Sequence, residues 1–435
     1  MVQIIGPHSI LTKQGEGWKQ LRKRFNPGFA PQHLMTLLPC IVDKTMVFIK
    51  ELDRYASSGE EFALNKLTIN LTFDIIGAVA MNVDFDAQHS DASMQSEFLQ
   101  LFGQLLGTYG VGDNDLPWWM HPRREWRRYQ LGKEVNSRLD AIIREKHAEQ
   151  QKAGKTGSRD ILSLSLQGNS QLSDELVQET RDQLKTFLLA GHDTTGILLA
   201  WFFYEMARTP HVLKKVRDEL DEIFGPDPDP EAVREKLVGH NGDELINRMV
   251  YTSAVIKEVL RLYPPAGSAR MPPPGSNFTV RTPDGRSYCL DSKIVFVCST
   301  IIQRDRTVYG ETANDFVPER WLDDKSGIMS AGAKDEKEQQ AERKYPAGAW
   351  RAFERGPRNC IGQDFATIEA RVIVAAIARR YDFVKVGLGE LDLDEKGQPV
   401  LNEKDQYKTK SEVYNTQQIT SKPVDAMQMT VRRKS

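Results

Sequence analysis

The chain is 435 residues long, 40% hydrophobic and 27% charged, the proportions of a globular rather than a disordered or fibrous protein. Its formal net charge of −2 excludes the basic field that draws in nucleic acid, and no nucleic-acid-binding motif stands in it. Four scattered cysteines, Cys40, Cys289, Cys298 and Cys360, without C-x-x-C spacing, argue against a disulfide framework and against a cysteine-rich zinc site.

The first residues, MVQIIGPHSILTKQGEGW, lack the charged-then-apolar order of a signal peptide. No later stretch reaches the ~18 uninterrupted apolar residues of a membrane span. Helical periodicity dominates up to about Leu262, with examples at 67–81 (LTINLTFDIIGAVAM) and at 134–151, the second with a solvated charged face. LPWWMHPRREW (116–126) mixes tryptophans with arginines between helical stretches. That mixture suits a bilayer interface, although tryptophans are also common core residues. A long helix is predicted from the N-cap Ser173, with Asp174 and Glu175 in its first turn, to a stop at Thr209-Pro210. FGPDPDP (224–230) is a turn-rich break.

After YPPAGSARMPPPG (263–275) the texture becomes β-type. NFTVRTPDGRSYCL carries a Pro-Asp-Gly turn and leads into the apolar run KIVFVCSTII. Residues 323–344 are charged and read as a solvated surface loop or helix. Neither an internal repeat nor a flexible linker divides the chain. The expectation is one domain over 1–435, mainly α with small β-sheets.

The centre of the long helix reads FLLAGHDTTGILLAWFF, with Gly191 and Gly196 flanking Asp193, Thr194 and Thr195. Each glycine costs ~1 kcal/mol against alanine in a helix interior, and polar groups among apolar neighbours are expensive unless satisfied or useful. Two readings stand level here. One is a kink with a polar patch at a helix–helix contact. The other is a site where a ligand approaches the backbone and finds a proton donor.

FERGPRNCIGQDF (353–365) sets Cys360 in a glycine-rich bend just before a helix. As a nucleophile it lacks a local base. As a structural thiol it would be ordinary. The surroundings favour a third role, thiolate ligand to haem iron, because glycines at 356 and 362 clear space for a flat macrocycle. The helix onset stabilises a thiolate, and Arg358 suits a carboxylate.

F-x-x-G-x-R-x-C-x-G, filled by Phe353, Gly356, Arg358, Cys360 and Gly362, resembles the haem-binding loop of the cytochrome P-450 family. Other landmarks follow in the family's order. Residues 190–195, AGHDTT, are similar to its oxygen-activation segment, and Glu258 and Arg261 in KEVLRLYPP fit its E-x-x-R pair. FVPERW (316–321) fits its P-E-R-W box, and Trp18 with Arg22 resembles its haem-propionate contacts. The general likeness is to microsomal-type fungal members.

The resemblance implies haem b between the long central helix and the cysteine loop, with Cys360 as the axial thiolate. Arg358, Arg22 and Trp18 would hold the propionates, and Arg270 is a looser match. Glu258, Arg261 and Arg320 would form a buried structural network, and Asp193 and Thr194 a proton-relaying acid–alcohol pair. His192 is given no role. The implied activity is monooxygenation of a small lipophilic substrate with O2, in secondary metabolism. Electrons would come from an NADPH-dependent flavoprotein reductase docking near Arg351 and Arg355. The implied location is the cytosolic face of the endoplasmic reticulum membrane, with peripheral contact. Some relatives instead isomerise or dehydrate oxygenated substrates, which retention of Asp193-Thr194 argues against.

Family chains carry more protein before the W-x-x-x-R segment than this one does. An N-terminally incomplete domain is therefore expected, with an uncovered strand edge near KIVFVCST and weak haem binding. A non-catalytic haem-binding remnant is the accompanying alternative.

Overall fold

The computed structural model describes residues 2–109, 118–153, 159–322 and 344–434. Its longer helices are α1 (Gly15–Phe25), α2 (Leu38–Ser58), α3 (Leu64–Met81), α4 (Glu97–Gly107), α5 (Pro122–Ala153), α6 (Asp174–Arg208), α7 (Pro210–Phe224), α8 (Val250–Leu262) and α9 (Gln363–Ile377). The strands are β1 (Phe62–Ala63), β2 (Ser268–Arg270), β3 (Thr279–Arg281), β4 (Ser287–Cys289), β5 (Val295–Val297), β6 (Tyr381–Lys385), β7 (Asn415–Gln417), β8 (Ser421–Pro423) and β9 (Gln428–Arg433). A mainly helical fold with small antiparallel sheets is thus what forms.

Helix α6 is the axis of the core. Ser173 caps it by accepting the Leu176 N–H at 3.2 Å, and it runs unbroken to Arg208, where Pro210 opens α7. Trp201, Phe202 and Phe203 are fully buried in its second half. Helix α3, apolar on nearly every side, lies along it.

That contact explains the glycines. A Cβ on Gly191 would meet Ile76 at 2.7 Å, and one on Gly196 would meet the Ile69 backbone at 2.9 Å. Across the same seam the Thr72 hydroxyl donates to the His192 carbonyl at 2.6 Å and Thr68 to that of Gly196 at 2.8 Å. The polar patch at a helix–helix contact is borne out: side-chain hydroxyls from α3 bond the carbonyls of α6, whose helix runs on without interruption.

Strands β1, β9 and β6 form an antiparallel sheet in that order, with Phe383 opposite Val431. Hairpin β3–β4 turns at Pro283-Asp284-Gly285, as the sequence predicts, closed by Thr282 N–H to Arg286 O at 2.9 Å. KIVFVCSTII is strand only at Val295–Val297, because Ser299–Ile302 coils into a short helix that delivers Gln303 to the core. Among the described residues strand β5 pairs with β2 alone, and Ile294 before it and Phe296 within it are 76% and 55% exposed. Hairpin β7–β8 is anchored by the Ser421 N–H on Pro265 O at 2.8 Å.

Residues 323–343 and 110–117, which carry most of the predicted charged loop and the start of LPWWMHPRREW, lie outside the described residues. Trp119 and Trp126 are exposed. No helix among the described residues is long and apolar enough to cross a membrane.

Candidate active site around Cys360

The cysteine loop is built by its own backbone. Glu354 and Gly356 adopt positive φ (58° and 81°), and the chain folds back so that the Cys360 N–H donates to Phe353 O at 2.9 Å. Nothing lies within 4 Å of a Cβ placed on Gly356, and its positive φ is itself a conformation that favours glycine. Gly362 is the N-cap of α9, and a Cβ there would sit 3.9 Å from both Cys360 Sγ and the Phe29 ring. Phe353 stacks obliquely on Trp350 at 5.9 Å and fixes the start of the bend.

Cys360 is open to a water-sized probe, yet protein surrounds it at longer range. That desolvation pushes its thiol up, against the Gly362 N–H and the Arg22 guanidinium, which pull it down.

Three guanidinium groups converge near this loop. Arg22 donates to Asn359 O at 2.8 Å and to Asn359 Oδ1 at 3.0 Å. Arg358 donates to Lys13 O at 2.7 Å and lies over the Trp18 ring at 4.7 Å. Burial and the nearby Arg270 lower its pKa, the mark of a cation that would be relieved by an anion. Arg270, exposed on β2, therefore faces the same spot, 3.9 Å from Glu354.

The other wall is α6. Ala190 is exposed and Thr194 half-buried in a stretch whose neighbours are buried, so an opening borders that face. Phe187, one turn before Ala190, meets Phe29 edge-on at 5.1 Å, and a Cβ on Gly362 would lie 3.9 Å from the Phe29 ring, so packed rings link α6 to the start of α9. The Thr194 hydroxyl donates to Ala190 O at 2.7 Å, which leaves its lone pairs free to accept. Asp193 lies about 100° around the helix. Its carboxylate accepts a short hydrogen bond from Thr420 and pairs with Lys422 at 2.6 Å. His192 points elsewhere, with Nδ1 on Leu188 O at 2.6 Å, and complete burial lowers its pKa.

Behind the loop, Glu258 on α8 is wholly buried and fully used. It accepts from Arg261 Nε and Nη2 at 2.9 Å each, from Arg320 Nε at 3.0 Å, from Trp321 Nε1 at 2.9 Å and from the Val317 N–H at 2.9 Å. Arg261 also caps the carbonyls of Gln303, Ala313 and Asp315. The predicted trio is thus brought together.

Sequence reasoning missed Gln303, which is buried too. Its amide donates to the carbonyls of Leu260 and Arg261, and its Oε1 accepts the Arg351 N–H at 2.6 Å, tying the network to the approach of the cysteine loop. It also missed Glu369 on α9, buried beside Thr195 with no well-aligned hydrogen bond to either oxygen, whose carboxyl pKa burial pushes well up. No local signal marks either residue, because their partners come from distant segments.

Comparison with known proteins agrees. The family profile described as cytochrome P-450 matches residues 4–410. The chain is 32% identical to the cytochrome P-450 monooxygenase acrF of Aspergillus aculeatus over 87% of this chain and 75% of that protein. It is 30% identical to the monooxygenase polC of Polytolypa hystricis over 92% of this chain and 68% of that one. Among solved structures it resembles a cytochrome P-450, CYP102L1, with a TM-score of 0.72 at 21% identity, covering 99% of this chain and 86% of the other, which speaks for the fold alone. The chain therefore belongs to the cytochrome P-450 family.

Proposed function

We propose that this chain is a haem-thiolate monooxygenase that inserts one atom of O2 into a small lipophilic substrate, with electrons from an NADPH-dependent flavoprotein reductase. The family binds haem through an axial cysteine thiolate and needs a redox partner. The residues present suit that group. An accessible thiol sits at a helix start, the small Gly362 lies beside it, and Arg22, Arg358 and Arg270 gather at the loop. The observation that carries the reading is the exposed Cys360 thiol beside Gly362 at the start of α9, and the reading sets the Ala190 and Thr194 face of α6 across a haem recess from it.

Cys360 would ligate the iron, Phe353, Gly356 and Gly362 shape the loop, and Arg22, Arg358 and Trp18 hold the propionates. Glu258, Arg261 and Arg320 hold the loop from behind. Haem, once bound, supplies the activation of dioxygen. Asp193 takes protons from solvent and Thr194 presents them, through its hydroxyl, to the recess. Exposed Arg355, with Arg351 beside it, supports docking of an acidic reductase at the loop's outer face. Exposed Trp119 and Trp126 next to a basic helix start support peripheral contact with the endoplasmic reticulum membrane. A lipophilic substrate of fungal secondary metabolism fits the relatives' fungal origin.

The test is turnover of candidate lipophilic substrates by the haem-loaded chain with a flavoprotein reductase under isotopically labelled dioxygen. Substrate-dependent NADPH consumption with label in the product is expected. Conversion without NADPH or without label would instead assign an isomerase or dehydratase, and no conversion a remnant.

A further inference from the structure

The last turns of α6 carry a charged group that the core uses only in part. Glu205 is 1% exposed, and its Oε1 accepts the Tyr263 hydroxyl at 2.6 Å, while the buried Oε2 has no hydrogen-bond donor among the described residues. Arg208, one turn on, is its charge partner, yet the approach is loose, with Nη1 3.8 Å from Oε1, and the buried Arg208 Nε has no acceptor among the described residues. A buried acceptor and a buried donor left open on adjacent turns are costly. Burial pushes the Glu205 carboxyl up, against the Arg208 charge and the Tyr263 hydroxyl, which pull it down.

Both residues line a cavity of about 480 Å³, within the ~300–1,000 Å³ of small-molecule sites. Residues 401–408 form its far wall, tied to the end of α6 by the Tyr407 N–H on Arg208 O at 2.8 Å and by Gln406 Nε2 on Thr209 Oγ1 at 3.1 Å. Lys404 pairs with Asp315 at 2.6 Å, so those two charges are spent on each other. Buried Leu262 and Phe316, with half-exposed Leu401, supply apolar lining. Exposed Glu403 and Lys408 stand where the cavity opens to solvent. Glu205 lies about 16 Å along α6 from Thr194, and none of the lining residues belongs to the Cys360 loop.

We propose that this cavity is a second binding site, for a small zwitterion of the α-amino-acid type with an apolar side chain. Such a molecule carries an ammonium and a carboxylate on one carbon, which matches an open acceptor and an open donor on two side chains that approach to 3.8 Å. Its ammonium donates to Glu205 Oε2, its carboxylate accepts from Arg208 Nε, and its side chain lies on Leu262, Phe316 and Leu401. Among the lining residues Glu205, Asp315 and Glu403 balance Arg208, Lys404 and Lys408, so a ligand without net charge is the complementary one. No bond is made or broken there. The site is independent of the chemistry at Cys360, and its failure would leave the proposed activity untouched.

Calorimetry on the haem-loaded chain tests this with L-leucine and L-phenylalanine, against isocaproate, which is leucine without its ammonium, and isoamylamine, which is leucine without its carboxylate. At least one of the amino acids should bind and raise Tm, and isocaproate and isoamylamine should bind at least about tenfold more weakly than L-leucine or not at all, because each forfeits a hydrogen bond to a charged group. The Soret band should not move. Glu205→Gln, which keeps an acceptor for Tyr263, and Leu401→Trp, which fills the mouth from an exposed position and leaves both charges in place, should each weaken amino-acid binding about tenfold or more. Binding of neither amino acid leaves the cavity to ordered water and overturns the proposal. So do affinity for isocaproate or isoamylamine equal to that of the amino acids, a Soret shift on binding, and unchanged affinity in either folded variant.

Discussion

Glu258→Ala is expected to cost about 3–5 kcal/mol, enough to leave little folded chain at 37 °C. The reason is asymmetry. Glu258 is the shared acceptor for two buried guanidinium groups, the Trp321 indole and the Val317 N–H. Removing it strands Arg261 and Arg320 as buried cations, leaving Arg261 its backbone carbonyls and Arg320 the Thr312 carbonyl and hydroxyl and Tyr345. The damage reaches the site through Gln303, because the carbonyl and side chain of that residue join Arg261 to the Arg351 N–H. Urea midpoints and haem retention of the purified variant measure this. A wild-type midpoint would show that the network is dispensable.

Thr194→Ala is expected to leave the fold intact and to lower product formation by about 10²-fold, while NADPH is still consumed and reduced oxygen leaks away as peroxide. Alanine is a better helix former than threonine, and the hydroxyl's hydrogen bond runs only to Ala190 O one turn back, so stability is not at stake. What is lost is the hydroxyl proposed to present protons to the recess. Thr194→Ser, which keeps it, should restore most of the product per NADPH. Equal coupling in wild type and Thr194→Ala would remove the residue from the relay.

Much of this was legible because it is local. The N-cap at Ser173, the stop before Pro210, the Pro-Asp-Gly hairpin and the bend before α9 depend on residues within a few positions of one another. The spacing of Glu258 and Arg261 likewise places both on one helix face.

What escaped is set by distant partners. Gly191 and Gly196 read as room for a ligand or a kink, yet they make room for Ile76 and Ile69 of α3. Gly356 read as clearance, and the left-handed backbone that also demands glycine there gave no sign in the sequence. Lys422 gives no sign in sequence of pairing with Asp193, 229 residues away, and nothing around Gln303 announces that it bridges α8 to the cysteine loop.

The account turns on one sulfur. Carbon monoxide added to the dithionite-reduced, haem-loaded chain should produce the strongly red-shifted Soret band of thiolate coordination, and Cys360→Ala should lose it while remaining folded. Absence of that band in folded, haem-replete wild type, or its persistence in Cys360→Ala, would contradict the assignment.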